Sequence, residues 1–326
     1  MINGKTRLCG IFGYPVGHSL SPAMHNAAFA ALGLDWAYLP FAVEPGQLRS
    51  AVEGIRAMGL VGVNITVPHK ESVLPLLDEL SEEARLIGAV NTIVNRGGRL
   101  LGDNTDGHGF ISALREETGF QPAGKTALII GAGGAAKAVS VRLALSGVRE
   151  MYVTNRTGKG AEDLAKLLQK CSKASIQVIP WPEQAGETLS VKADLTVQTT
   201  TVGMSQTPDA GFFGFGKAAT SDAKGAYSST QLSGARKLTQ PRAKKTSPDP
   251  DAGFLPLVPW ESGQVVCDLI YNPVETRFMA CAREKGATVM NGLGMLLHQG
   301  ALAFRIWTGQ AAPLEVMKQT LCGRFH

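Results

Sequence analysis

The sequence predicts an α/β fold of two domains, each built on a mostly parallel sheet. Three observations carry that prediction. The chain has 326 residues, enough for about two domains of ordinary size. Strand-like and helix-like segments alternate along it, the pattern of βαβ units. A glycine-rich turn, Gly131-Ala-Gly-Gly-Ala-Ala136, stands between an apolar run and a helix-like stretch.

Taken in order, Leu8 to Phe12 is a short apolar run closed by Gly13 and Pro15, and reads as a strand. A helix is predicted from Pro22 to Gly33, with Ser21 as N-cap and proline at the first helical position. Trp36 to Val43 reads as a strand, Pro45 to Met58 as a helix, and Val61 to Val67 as a further strand. Pro68 keeps Val67 extended. The second series begins at Thr126: strand Ala127 to Ile130, helix Ala135 to Ser146, strand Glu150 to Thr154, helix Lys159 to Lys170. Strands at Leu195 to Thr200 and Val265 to Ile270 follow. Gly294 to Trp307 has helical spacing of Met295, Leu296, Ala301, Leu302 and Phe304. Between Met204 and Val258 the pattern dissolves into Gly, Ala, Ser, Thr, Lys and Pro, and Pro208-Asp-Ala-Gly-Phe212 recurs as Pro250-Asp-Ala-Gly-Phe254. This low-complexity insertion, about 205–258, is expected to be a mobile, solvated surface loop.

Composition excludes several classes. Hydrophobic residues make up 44% and charged residues 18%, ordinary values for a water-soluble globular chain. The net charge is +5, but seven Lys or Arg against four Asp between Ser205 and Phe254 supply three of those charges. The remainder is close to neutral, so nucleic acid is not an expected partner. Five cysteines lie far apart with no CxxC pair, a reduced, intracellular pattern. The opening residues lack the apolar core of a signal peptide, and no apolar run reaches the ~20 residues of a membrane-spanning helix. A cytoplasmic address without membrane contact is expected.

The glycine turn fits G-x-G-x-x-G/A in its required context, after a strand and at the opening of a helix. Gly131 permits the tight turn, Gly133 lets the backbone approach a pyrophosphate, and Ala136 allows close helix–strand packing. Ala132, Gly134 and Ala135 complete the cradle, and the helix N-terminus offers unpaired N–H groups to phosphates. The end of the next strand decides which dinucleotide is bound. An NAD site carries Asp or Glu there for the ribose 2′-hydroxyl. This chain has Asn155-Arg156-Thr157 followed by Lys159, with no carboxylate to repel a 2′-phosphate. Arg156 suits that phosphate as a fork, Thr157 as a hydroxyl donor and Lys159 as a charge, so NADP is the expected cofactor.

Four polar clusters occupy the first 110 residues: Gly13-Tyr-Pro-Val-Gly-His-Ser-Leu-Ser-Pro-Ala-Met-His-Asn26, Gly62-Val-Asn-Ile-Thr-Val-Pro-His-Lys70, Gly88-Ala-Val-Asn-Thr92 and Gly102-Asp-Asn-Thr-Asp-Gly-His-Gly109. Each also has a plain structural explanation: Ser21 and Asp106 as helix caps, Lys70 as a surface lysine, Asn91 as a turn residue. His18, His25 and His69 lack nearby carboxylate or thiolate partners, so no metal is expected.

Together the clusters and the glycine turn resemble the shikimate dehydrogenase family over nearly the whole chain except the insertion. Val265-Val-Cys-Asp-Leu-Ile-Tyr-Asn-Pro-Val-Glu-Thr276, Asn291-Gly-Leu-Gly-Met-Leu-Leu-His-Gln299 and the Ala-Phe-x-x-Trp-x-Gly ending at Gly309 extend the similarity. The resemblance implies that Ser19 and Ser21 bind a substrate carboxylate. It implies also that Asn64, Thr66, Asn91 and Gln299 bond ring oxygens, that Lys70 and Asp106 form the catalytic pair, and that Tyr271 lines the same cleft. Leu269, Gly292 and Met295 would sit by the nicotinamide, with Glu82 and Thr200 also on the cofactor side. Gln198-Thr-Thr-Thr-Val-Gly-Met204 departs from the family's common Asn-Ala-Thr-Pro-Val-Gly-Met, which weakens any contact assigned to Gln198 itself.

On this reading, residues 1–106 plus 293–326 form the substrate-binding catalytic domain, and 107–292 form the Rossmann-type NADP-binding domain. The active site lies in the cleft between them. The implied reaction is NADPH-dependent reduction of 3-dehydroshikimate to shikimate, on the route to chorismate and the aromatic amino acids. The resemblance leaves room for a homodimer. A quinate/shikimate dehydrogenase of broader range is the nearest rival. A non-catalytic NADP-binding regulator would need neither Lys70 nor Asp106, and a folate-metabolising dehydrogenase would leave Ser19, Ser21 and Asn64 unexplained.

Overall fold

A computed structural model of the chain describes residues 2–182, 189, 191–204 and 258–324. The expected 205–258 loop therefore falls outside the described residues, apart from its last position. The apolar run at the start forms β1 (Arg7–Gly13), followed by α1 (Ser21–Ala31) and β2 (Trp36–Ala42). A single 3-10 turn at Pro45–Gln47 leads into α2 (Leu48–Ala57), so the helix predicted from Pro45 is tighter in its first turn. Next come β3 (Gly62–Ile65), β4 (Glu79–Leu80), α3 (Glu82–Ile87), β5 (Thr92–Arg96), β6 (Arg99–Asp103) and α4 (Asp106–Thr118).

These strands form one six-stranded sheet in the order β2-β1-β3-β5-β6-β4. β1 pairs in parallel with β2 and β3, but β5 runs antiparallel to both β3 and β6. The first sheet is therefore mixed, with three of its five pairings parallel and two antiparallel. The cause is local. Gly97 and Gly98 both take positive φ, +63° and +93°, in a two-residue turn whose twist matches a hairpin. The hairpin sets Thr92 opposite Asp103 and so brings the residues before β5 beside those after β6.

The second sheet has the four strands and two helices predicted for it, and adds two strands and one helix that were not predicted. It comprises β7 (Thr126–Ile130), α5 (Gly134–Leu145), β8 (Glu150–Thr154), α6 (Gly158–Cys171), β9 (Ser175–Val178), β10 (Leu195–Gln198), β11 (Val265–Asp268), α7 (Arg277–Glu284) and β12 (Thr288–Met290). All pairings are parallel, in the order β12-β11-β10-β7-β8-β9. Counted within the sheet this is 3-2-1-4-5-6, the Rossmann order, whose switch point lies between β7 and β10.

Two further helices, α8 (Leu293–Thr308) and α9 (Leu314–Cys322), complete the chain. The apolar residues of α8 serve two cores. Met295 packs with Ile129, Val139 and Leu114 near the second sheet, while Phe304 and Trp307 pack with Ile11, Phe29 and Tyr38 near the first. The Trp307 indole N–H donates to the carbonyl of Ile93 in β5 at 3.0 Å. α4 lies along α8 and contributes Phe110, Ala113 and Leu114 to the core of the second sheet. No described helix is long and apolar enough to cross a membrane.

Candidate active site

The hairpin and the end of β3 assemble one polar centre. Lys70 Nζ donates to Asp106 Oδ2 at 2.6 Å, with the two side chains only 16% and 5% exposed. Asn91 Nδ2 donates to Asp106 Oδ1 at 2.8 Å, so both carboxylate oxygens are engaged. Asn91 Oδ1 in turn accepts from the backbone N–H of Thr105 and from the Thr92 hydroxyl, each at 2.9 Å. Gln299, on α8, comes within 3.3 Å of Asn91 Nδ2 through Oε1 and donates its own amide to Leu296 O at 2.9 Å. The helix-cap explanation of Asp106 does not apply: α4 begins at Asp106 itself, with Thr105 at the N-cap and no side-chain cap bond. Lys70, mostly buried, is not a surface lysine.

Asn64 belongs to the same network. Its Oδ1 accepts from the Tyr38 phenol at 2.8 Å, and its Nδ2 donates to Asn91 O and Thr92 Oγ1, each at 3.1 Å. Burial pushes the Tyr38 phenol well above its usual range, with Cys9 adding to the shift and the Ser21 hydroxyl opposing it. The phenol thus stays a donor. Ser21 is not an N-cap: Leu20 takes that position, without a side-chain cap bond, and Ser21 is the first helical residue. Ser19, half-buried in the turn before it, accepts from the Ser21 N–H at 3.3 Å. Thr66 is half-buried just beyond β3. Tyr271 reaches the same turn from the second sheet. Burial raises its phenol pKa, and the backbone of Leu20 facing it pulls the other way.

The glycine turn meets this centre directly. Gly131 has φ +115°, a region L side chains rarely adopt, and a Cβ there would collide with Thr199 Oγ1 and lie 3.1 Å from Thr200 Cγ2. At Gly133 a Cβ would meet nothing within 4 Å, so its backbone is open to a ligand. Gly134 opens α5 with its Cα against the lysine: a Cβ there would sit 3.3 Å from Lys70 Cβ and 3.6 Å from Ala89 Cβ. Ala135 is half-buried beside it, and Ala136 is fully buried against β7. Ala132 touches the position of Gly160, where a Cβ would also meet Asn155 Nδ2. Asn155 folds its loop by donating to Thr157 O and Oγ1 at 3.0 and 2.8 Å, while Arg156, Thr157 and Lys159 stand exposed. On the far side Gly292 lies against the carbonyl of Leu269, and buried Met295 follows one turn into α8.

Sequence reasoning missed several contributors. Tyr38, Thr92 and Thr105 complete the hydrogen bonding of Asn64 and Asn91, and nothing local marks a strand tyrosine for that task. Two ion pairs join α5 to the first sheet's elements: Lys137 with Glu71 at 2.7 Å, and Arg142 with Glu83. Glu82 itself is exposed at the start of α3. His69 donates to Val43 O at 2.7 Å, His18 is exposed, and His25 is wholly buried. Among the described residues no group of three or more His, Cys, Asp or Glu could hold a metal.

A Rossmann sheet whose glycine turn rests on a buried lysine–carboxylate pair defines a nicotinamide-dependent oxidoreductase of the two-sheet α/β class. Family models agree along the chain: a shikimate dehydrogenase substrate binding domain over residues 11–93, a shikimate/quinate 5-dehydrogenase over 114–194 and a shikimate 5′-dehydrogenase C-terminal domain over 292–322. The shikimate dehydrogenase (NADP(+)) of Desulforamulus reducens is 48% identical over 320 residues, covering 98% of this chain and 96% of that protein. The chain belongs to the shikimate dehydrogenase family. Among solved structures, the shikimate 5-dehydrogenase of Thermus thermophilus in complex with NADP(H) and shikimate is 33% identical with a TM-score of 0.72, covering 97% of this chain and 99% of that one. The 5-ketofructose reductase of a Gluconobacter species is 34% identical with a TM-score of 0.76, covering 99% and 100%.

Proposed function

We propose that this chain catalyses the reversible, NADPH-dependent reduction of 3-dehydroshikimate to shikimate, with Lys70 and Asp106 as the catalytic pair. One observation carries the reading: the Lys70 stem lies on Gly134 of the dinucleotide turn while its ammonium is held by Asp106. The residues present suit NADP. A positive-φ glycine, an open backbone at Gly133 and exposed Arg156 and Lys159 without a carboxylate between them match a pyrophosphate and a 2′-phosphate. When bound, the reduced nicotinamide supplies a hydride.

The chain's own residues do the rest. Lys70 stabilises the negative charge that gathers on the ketone oxygen and gives it a proton. Asp106, itself fixed by Asn91, holds the ammonium in one direction, so little reorganisation is needed as charge develops. Ser19 and Ser21 receive the substrate carboxylate. Asn64, Thr66, Asn91 and Gln299 line the ring hydroxyls, and Tyr271 closes the cleft from the cofactor side. Asn64 has spent both amide hydrogens on Asn91 O and Thr92, so it offers the substrate only an acceptor. A site with this many fixed polar groups rejects analogues lacking a hydroxyl.

The reading extends to a cytoplasmic enzyme, on the five free thiols, and to a homodimer, which sedimentation of the purified protein tests. The substrate test mixes the protein with NADP or NAD and shikimate or quinate, or with NADPH and 5-ketofructose, and follows nicotinamide absorbance. Shikimate with NADP is expected to give the highest kcat/KM. A higher value with quinate or 5-ketofructose overturns the substrate assignment.

A further inference from the structure

Gln198 ends β10 with its side chain fully buried, and its amide is shared among three pieces of chain. Oε1 accepts the backbone N–H of Thr200. Nε2 faces three oxygens: Thr200 O at 3.3 Å, Val202 O at 3.1 Å and Asp268 Oδ1 at 3.3 Å. The amide orientation follows from these partners, since the Thr200 N–H can only donate and those three oxygens accept. Asp268, equally buried at the end of β11, has two further donors, one on the oxygen that faces Gln198 and one on the other. It accepts from Ile270 N at 3.0 Å and from the Thr276 hydroxyl at 2.7 Å.

The loop held this way is the one that touches the glycine turn. Thr199 bonds Ile130 O, through its backbone N–H at 2.9 Å and its hydroxyl at 2.8 Å. Its Oγ1, with Thr200 Cγ2, occupies the space a side chain at Gly131 would need. Residues 199–202 thus form one wall of the switch-point crevice, and the segment 269–276 behind Asp268 leads to Tyr271. The Gln198 amide ties the two together.

We infer that Gln198 is a positioning residue for the cofactor: its buried amide, braced by Asp268, holds residues 199–202 against the Gly131 turn and so sets the affinity for NADP. This rests on the proposed NADP reading. Gln198 touches neither substrate nor cofactor in this role; it acts through the backbone of Thr200 and Val202.

The test is a fluorescence titration of wild type, Gln198→Leu and Gln198→Asn with NADPH alone, beside thermal melts and shikimate kinetics at saturating NADP. Gln198→Leu removes every bond at similar volume and is expected to raise the NADPH Kd about ten-fold. Gln198→Asn keeps an amide one methylene shorter and is expected to raise it less, about three-fold. The KM for shikimate should stay within about two-fold of wild type. Wild-type NADPH affinity in whichever variants fold overturns the inference. So does a parallel loss of NADPH and shikimate affinity that tracks the fall in Tm, which would make Gln198 merely structural. Because the titration omits shikimate, a protein that binds NADPH but oxidises no shikimate refutes the proposed reaction and not the role of Gln198.

Discussion

His25 makes acid a specific stress on this fold. Its ring is wholly buried, stacked on Tyr38 at 4.5 Å and 7° and flanked by Phe29, Phe304 and Trp307, and neither nitrogen has a partner. Burial lowers its pKa from 6.5 to about 3. The folded state therefore holds the neutral ring, and the stability this provides is complete above pH 6.5 and drains away as pH falls toward 3. At about 1.4 kcal/mol per pH unit, acidification from 6.5 to 4.5 removes about 3 kcal/mol through this one group. Asp268 acts in the opposite sense. Burial raises its carboxyl from 3.8 to about 6, so the folded state takes up a proton first and gains about 2 kcal/mol between pH 6 and 4. In wild type the two effects largely cancel. His25→Phe removes one of them. Urea unfolding of both proteins at pH 7.5, 6.0 and 4.5 should show the variant gaining about 3 kcal/mol on wild type across that range, whatever the steric cost of the larger ring at neutral pH. A stability difference that stays constant with pH would refute the idea that His25 is buried neutral.

Two further outcomes bear on chemistry. Lys70→Ala should lower kcat at least about a hundred-fold while the KM for shikimate changes little, measured by steady-state kinetics in the oxidative direction. A normal turnover number in that variant removes the ammonium from catalysis. Arg156→Ala should raise the KM for NADP about ten-fold or more and leave that for NAD nearly unchanged, since only NADP carries the 2′-phosphate. Equal effects on both cofactors would show that Arg156 does not read that group.

Four of the second sheet's six strands were legible because they are short apolar runs followed by helix or turn signals, whereas β9, with its exposed Ser175 and Gln177, and the three-residue β12 carry no such pattern. The first sheet was less so. β5 and β6 are joined by only Gly97 and Gly98, with no room for a crossover helix, and the glycine pair was itself the missed signal for a hairpin. α3 has six residues, too few to show a helical period. Its start was nonetheless marked by Ser81, whose hydroxyl accepts the Ala84 N–H at 3.0 Å, and by Glu82 and Glu83 in the first turn. Ser21 misled for the converse reason: Ser-Pro is a common helix opening, but the hydroxyl faces Tyr38 rather than the helix's own N–H groups. Lys70, Asn91 and Asp106 stood out as motif residues, yet their meeting depends on strand order. Tyr38 became visible only once β2 and β3 were seen to flank β1.

The helix that starts among Ile129 and Leu114 and finishes among Ile11 and Phe29 makes the molecule hard to cut. A fragment ending before Leu293 would leave both interiors with a missing wall and wet apolar surface on each. Neither half-protein would then be a self-sufficient folding unit. Heat should collapse both interiors in one cooperative step, since the same sixteen-residue rod is a supporting beam of each.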